Sequence, residues 1–144
     1  MTKDILIQYC DLKEEAKDLR KRIEKSEKHI AKIEEEGNVT DSVLGGEGGI
    51  QHFKINGFPY PEYSRKKTML YLYQAQLQNA EYELLEALNE LEEYIQSIDD
   101  SRIRRIIRFR IIDDMNWVQV AINMGGRTTE ESARKEFERF LSSQ

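Results

Sequence analysis

The chain has one cysteine, Cys10, and two prolines, Pro59 and Pro61, which share one short segment. A single cysteine excludes an intrachain disulfide and a cysteine-built zinc cluster, and it fits a reducing cytosol. With proline confined to one place, the rest of the chain is open to helix. No apolar run is long enough for a membrane span or a signal sequence, and the opening MTKDILIQYCDLKEEAKDLRKR is charged every few residues. The expectation is a cytoplasmic chain with no membrane contact. Histidine is scarce too. His29 lies among charged residues and His52 in a glycine-rich connection, neither with a partner at metal-ligand spacing. No nucleophile–base pair can be read from the serines and threonines, and Glu34-Glu35-Glu36 reads as a solvated helix end. The sequence therefore predicts no enzyme, no metal and no cofactor.

What is present is charge and helical periodicity. Charged residues make up 34% of the 144 and hydrophobic ones 39%, a balance typical of long exposed helices. Alternating steps of four and three from Ile5 give Tyr9, Leu12, Ala16, Leu19, Ile23, Ser26, Ile30 and Ile33, of which only Ser26 is polar. This is a heptad seam, and it is expected to stop at Gly37-Asn38. A second seam, starting near Lys66, runs Leu70, Tyr73, Leu77, Ala80, Leu84, Ala87, Leu91, Tyr94 and Ile98. Leu88 and Ile95 widen it, so the second helix should meet more than one neighbour. Each helix would be roughly 45–50 Å long. Neither can bury its stripe alone, so they pack on each other, on a second subunit, or on both.

The connection VLGGEGGIQHFKINGFPYPEYSRKK has four glycines in five residues. GGEGG lacks the Gly-Lys-Ser/Thr ending of a phosphate loop and follows no strand, and Glu47 would oppose phosphate. It reads as a reversal between antiparallel helices, with a possible short hairpin at QHFKI and Asn56-Gly57. Phe53, Phe58, Tyr60 and Tyr63 are expected to pack on the helices or to form a partner-binding tip.

Charge is uneven. Residues 100–144 carry nine Lys/Arg and seven Asp/Glu, a net of +2, and the other ninety-nine carry thirteen and twenty, a net of −7; together they give −5. SRIRRIIRFR places five arginines within Arg102 to Arg110, an asymmetry that suits phosphate but is shared by many amphipathic surface helices. In this helix Ile103, Ile106, Ile107, Arg110 and Ile111 fall at helical spacing, with Arg104, Arg105 and Arg108 mostly outside the apolar face. Asp114 or Asn116 can cap the next helix, whose inward residues are Trp117, Val120, Ala121 and Met124. Gly125 suits the left-handed position that closes it. Thr128 or Thr129 opens the last helix, and Thr128 with Glu131 has capping-box spacing. Ala133, Phe137, Phe140 and Leu141 face inward. Small residues at Ala121 and Ala133 permit a close, steep helix crossing.

That pattern is a helix-turn-helix. Thr129, Glu130, Glu131, Ser132, Arg134, Lys135 and Glu138 are left outward. A recognition helix reads base edges from its first turns while amides and basic side chains hold phosphate. Arg134 and Lys135 are the candidates for base or phosphate contact, and Arg127 can reach the backbone from the turn. Glu131 or Glu130 could accept from cytosine N4, or could simply favour the helix N-terminus.

The segment RRIIRFRIIDDMNWVQVAINMGG…SARKEFERFL resembles the C-terminal helix-turn-helix of sigma factors, region 4. It is more similar still to small late transcriptional regulators of Gram-positive phages and prophages, the RinA and ArpU type. The likeness covers residues 100–141. It implies that Ala133 matches a buried valine, Arg134 the following basic residue and Arg139 a later arginine of the reading helix. The turn Gly125 to Thr129 is about two residues longer than in typical sigma factors, which puts the base-contact positions in question by a residue or two. No counterpart of the promoter-melting sigma region is present.

The expected fold is all-α: a long antiparallel helical hairpin over 1–99, with its glycine and aromatic loop at 37–66, then a small helix-turn-helix over 100–144. The expected function is a phage-type regulator, in a bacterial host cytoplasm, that binds specific double-stranded DNA. Its expected contacts are Arg127, Thr128, Thr129, Glu131, Ser132, Arg134, Lys135 and Arg139. The expected partners are DNA, host RNA polymerase and a second copy of the chain, a dimer being favoured over larger homo-oligomers. The alternatives are a small DNA-packaging (terminase) subunit and a protein-binding adaptor without DNA affinity.

Overall fold

The structure, a computed structural model, describes residues 2–44 and 59–144, with side chains described for 3–37 and 59–144. Helix α1 spans Thr2–Leu44 and α2 spans Tyr60–Ser97; α3 (Ser101–Ile107) continues into a π-helical turn (Arg108–Ile112), and α4 (Trp117–Met124) and α5 (Glu130–Ser142) follow. Among the described residues there is no strand. The fold is all-α, with α1 and α2 packed as a hairpin. No helix among the described residues is long and apolar enough to cross a membrane.

Both seams turn inward within the one chain. Tyr9, Ala16, Leu19, Ile30 and Ile33 are buried on α1, as are Ala80, Ala87 and Leu91 on α2. Helix α1 does not stop at Gly37-Asn38, and the next seam position after Ile33 is Gly37, which is itself buried. A glycine inside a helix costs only about 1 kcal/mol against alanine, less than the packing it joins. Helix α2 begins at Tyr60, six residues before Lys66. Pro61 lies in its first turn, where amides have no intrahelical acceptor, so proline costs nothing there. The carbonyl of Pro59 accepts from Tyr63 N at 2.8 Å. The GGEGG stretch, the expected hairpin, Phe53 and Phe58 lie outside the described residues.

Two compact units divide the chain, Glu15–Glu81 and residues 1–14 with 82–144. In the first, polar ties flank the seam. Arg20 meets Glu81 at 3.4 Å, and the Tyr63 hydroxyl donates to Glu34 Oε1 at 2.6 Å. Lys67 approaches the same carboxylate at 3.8 Å and lies 5.1 Å from the centre of the Tyr63 ring. Tyr60, by contrast, is 55% exposed, so the described tyrosines of the aromatic segment divide between packing and surface.

The second unit holds two apolar clusters. In one, Leu6 and Tyr9 of α1 meet Ala87, Leu91 and Ile95 of α2 and Ile107 of α3, with Phe137, Phe140 and Leu141 of α5 against them. The widened stripe of α2 is thus used: Ile95 is fully buried by this extra neighbour. In the other, Ile106 of α3 joins Val120 and Met124 of α4 and Ala133 of α5. Ile106 and Ile107 are adjacent, about 100° apart around the helix, and each enters a different cluster. Phe137 packs against both.

The end of the arginine-rich helix is not α-helical. Asp113 N donates to Arg108 O at 2.9 Å, a five-residue step, and Asp114 takes a left-handed φ of 57°. Lys13 of α1 stabilises this end. Its ammonium donates to Ile111 O at 2.8 Å and Ile112 O at 3.1 Å and pairs with Asp114 at 2.8 Å. A cation at a helix C-terminus satisfies carbonyls that have no partner within the helix and complements the dipole.

Candidate nucleic-acid interface

Asn116, not Asp114, caps α4. Its side chain accepts from Gln119 N at 2.9 Å, and Gln119 Oε1 accepts from Asn116 N at 3.0 Å. The reciprocal pair satisfies two amides at the helix start. Replacing Asn116 with alanine is expected to cost about 1 kcal/mol, read as a lower urea midpoint with unchanged native helicity.

The turn follows from its two glycines. Gly125 has φ 75° and ψ −171°, and Gly126 has φ 62°. Positive φ was expected at Gly125, but its ψ is extended rather than left-handed helical, a region open essentially to glycine alone. A Cβ at either position would meet nothing within 4 Å, so the need for glycine is conformational and not steric. Thr129, rather than Thr128 with Glu131, caps α5. Its Oγ1 accepts from Ser132 N at 3.1 Å, and Ser132 Oγ accepts from Thr129 N at 2.9 Å. Thr128 is engaged elsewhere, accepting from Arg102 Nη2 at 2.9 Å. Helices α4 and α5 close over Val120, Met124 and Ala133, with Trp117 and Phe137 rings 5.5 Å apart. Ala133 is fully buried and Ala121 half-buried. The two helices and their glycine turn thus close with Val120, Met124 and Ala133 inward, while Val118 and Ile122 stay on the surface.

The outward side of α5 carries the other candidates. Arg127, Thr129, Glu131, Arg134, Lys135 and Arg139 are exposed, whereas Thr128 and Ser132 are half-buried. Lys135 pairs with Glu131 at 3.0 Å and Arg134 with Glu138 at 4.0 Å, while Arg139 Nε donates to Lys135 O at 3.4 Å. Exposed pairs one turn apart are worth only about 0.3–0.5 kcal/mol, so a phosphate or base edge can displace them. Residues 127–139 contain four basic and four acidic side chains. Glu136 is taken by Arg102, whose Nε donates to both carboxylate oxygens at 3.0 and 2.9 Å. Four basic groups then remain against Glu130, Glu131 and Glu138.

The five-arginine run is not an open phosphate strip. Arg102 binds Glu136 and Thr128, Arg104 donates to Ile98 O, and Arg105 donates to Asn123 O. Arg108 pairs with Glu92 at 3.1 Å. Arg110 donates to Met115 O and lies 4.8 Å from the Trp117 ring centre. The positive excess of residues 100–144 is therefore spent largely on holding α3 to its neighbours. The surface-helix reading of this run is the one the contacts favour.

Set against known proteins, the chain matches no family model, no curated protein and no solved structure. Among the described residues no group of three His, Cys, Asp or Glu could hold a metal. Burial pushes the Cys10 thiol up, with Lys13 opposing the shift, which disfavours the thiolate a reactive cysteine needs.

Three residues that matter to this interface without touching its outer face were not singled out from the sequence. Lys13 reaches its carbonyls from about a hundred positions away. Arg102 fixes Thr128 and Glu136 at separations of 26 and 34 residues. Asp100 caps α3, accepting from Arg102 N at 2.9 Å; of the three, only this local cap has a signature that could have been sought, an Asp directly before a helical run.

Proposed function

We propose that the chain binds a specific double-stranded DNA site through residues 127–139, with α5 in the major groove. One observation carries the reading. The α4–α5 pair buries Val120, Met124 and Ala133 where the helices cross yet leaves Arg127, Arg134, Lys135 and Arg139 outward, with only weak one-turn pairing between side chains. Arg134 and Lys135 lie early in α5, where a recognition helix meets base edges. Arg127 in the turn and Arg139 two turns along the helix are placed to hold phosphates. Glu131, released from Lys135, can accept from cytosine N4. Thr129 and Ser132 serve by setting the start of α5, and Thr128 by holding the turn to Arg102. The likeness to phage late regulators supports a role in transcription, with host RNA polymerase as the further partner.

The test is selection of duplexes from a random pool at about 0.15 M salt, a concentration that screens non-specific attraction. Enrichment of one motif is the expected result, and its occurrence near late promoters would support the regulatory role. Absence of enrichment by folded protein would overturn the proposal. The second reading, a protein-binding adaptor, is favoured by Val118 and Ile122 on α4, which are 50% and 72% exposed. Salt-insensitive capture of a protein partner without DNA affinity would support it.

A further inference from the structure

The seams that offered a dimer in the sequence are used up inside the hairpin, yet α2 carries a second apolar stripe on another side. Tyr71, Ala75, Tyr82 and Leu85, with the polar Gln78 at the middle, follow steps of four, three, four and three along this continuous helix. At 100° per residue they centre roughly opposite the line of buried Ala80 and half-buried Leu77 and Leu84. Tyr71, Tyr82 and Leu85 are 60%, 65% and 56% exposed, and Leu72 beside them is 47% exposed. These four are half of the eight exposed large hydrophobic side chains among the described residues. A heptad step held over two heptads, as here, leaves a helix surface that a second straight helix can cover.

Charge selects the occupant and its direction. Beyond Glu62 in the first turn, the basic side chains of α2 are Arg65, Lys66 and Lys67, all before the stripe, and its acidic ones, including Glu83, Glu86 and Glu90, all lie after residue 80. Two copies laid parallel would set like charge beside like. Laid antiparallel about a two-fold axis, the same helix complements itself. We propose that α2 is the dimer interface of this protein, pairing antiparallel with α2 of a second copy. The two-fold lies between Gln76 and Leu77. Thr68 then opposes Leu85, Tyr71 opposes Tyr82 and Ala75 opposes Gln78 of the other chain, small beside large at the ends. Arg65 of each copy comes alongside Glu86 of the other, and both side chains are exposed in the single chain. This inference stands on α2 alone and does not depend on DNA binding.

Sedimentation of the full chain at about 50 µM tests it, a concentration that populates a dimer with a dissociation constant of about 1 µM. Wild type is expected at the mass of two chains. Tyr71→Glu with Tyr82→Glu is expected at one chain, with unchanged far-ultraviolet circular dichroism because both sites are exposed. Arg65→Glu alone should raise the dissociation constant about tenfold, and adding Glu86→Arg should restore it. A wild-type monomer would overturn the proposal. So would a dimer unaffected by the tyrosine changes, or a charge exchange that fails to restore pairing.

Discussion

Ile107→Ala lowers the stability of the second unit by about 3 kcal/mol, the usual cost of emptying a fully buried branched side chain. Ile107 is fully buried, at the meeting of Leu6 and Tyr9, Leu91 and Ile95, and the end of α5. A cavity there cannot collapse easily, because side chains from different helices define it. Ile122→Ala, at a site 72% exposed, should change stability by less than about 0.5 kcal/mol. Urea unfolding of both variants followed by circular dichroism reads the contrast directly. Equal midpoints for the two variants would mean that the cluster around Ile107 is not the core of this unit.

Ala133→Leu has the second large effect, and it reaches function. Ala133 is fully buried between Ile106, Val120 and Met124, so three added carbons have no space. Overpacking of this kind costs about 1–3 kcal/mol. The strain is relieved by moving α5 away from α4, which also turns Arg134 and Lys135 on the far side of the same helix. A shift of about 1 Å is enough to misplace paired donors at a base edge. The variant should therefore remain helical with a lower urea midpoint and lose specific duplex binding while keeping salt-sensitive, non-specific binding. Unaltered stability would show that the crossing has room to spare at this alanine.

The hairpin was legible in the sequence because a 3.5-residue apolar period has few other physical solutions, and Ala16, Leu19, Leu91 and their companions are buried where that period puts them. Its ends were not. Gly37 and Pro61 usually mark breaks, but one is sheltered in the seam and the other stands in a first turn. The cap of α5 stayed open between Thr128 and Thr129 in the sequence because both are competent caps. What separates them is Arg102, folded against Thr128 from a distant part of the chain. The inward residues of α4 and α5 follow from helical spacing alone. The π-helical turn left no trace in composition, since its ending depends on Lys13 and on the unusual backbone of Asp114. The arginine run stayed ambiguous for a related reason: charge can be counted from sequence, but partners cannot.

The central claim is that α5 reads duplex DNA, and the affinity of Arg134→Ala/Lys135→Ala for the selected duplex tests it most directly. Fluorescence anisotropy at fixed salt gives the affinity, and circular dichroism checks the fold. Both side chains are exposed and paired only within α5, so the variant should fold as wild type does. Two lost contacts of about 1–3 kcal/mol each predict a loss of specific affinity of about thirtyfold or more. Wild-type affinity in the folded double variant would contradict the assignment of α5 as the reading helix.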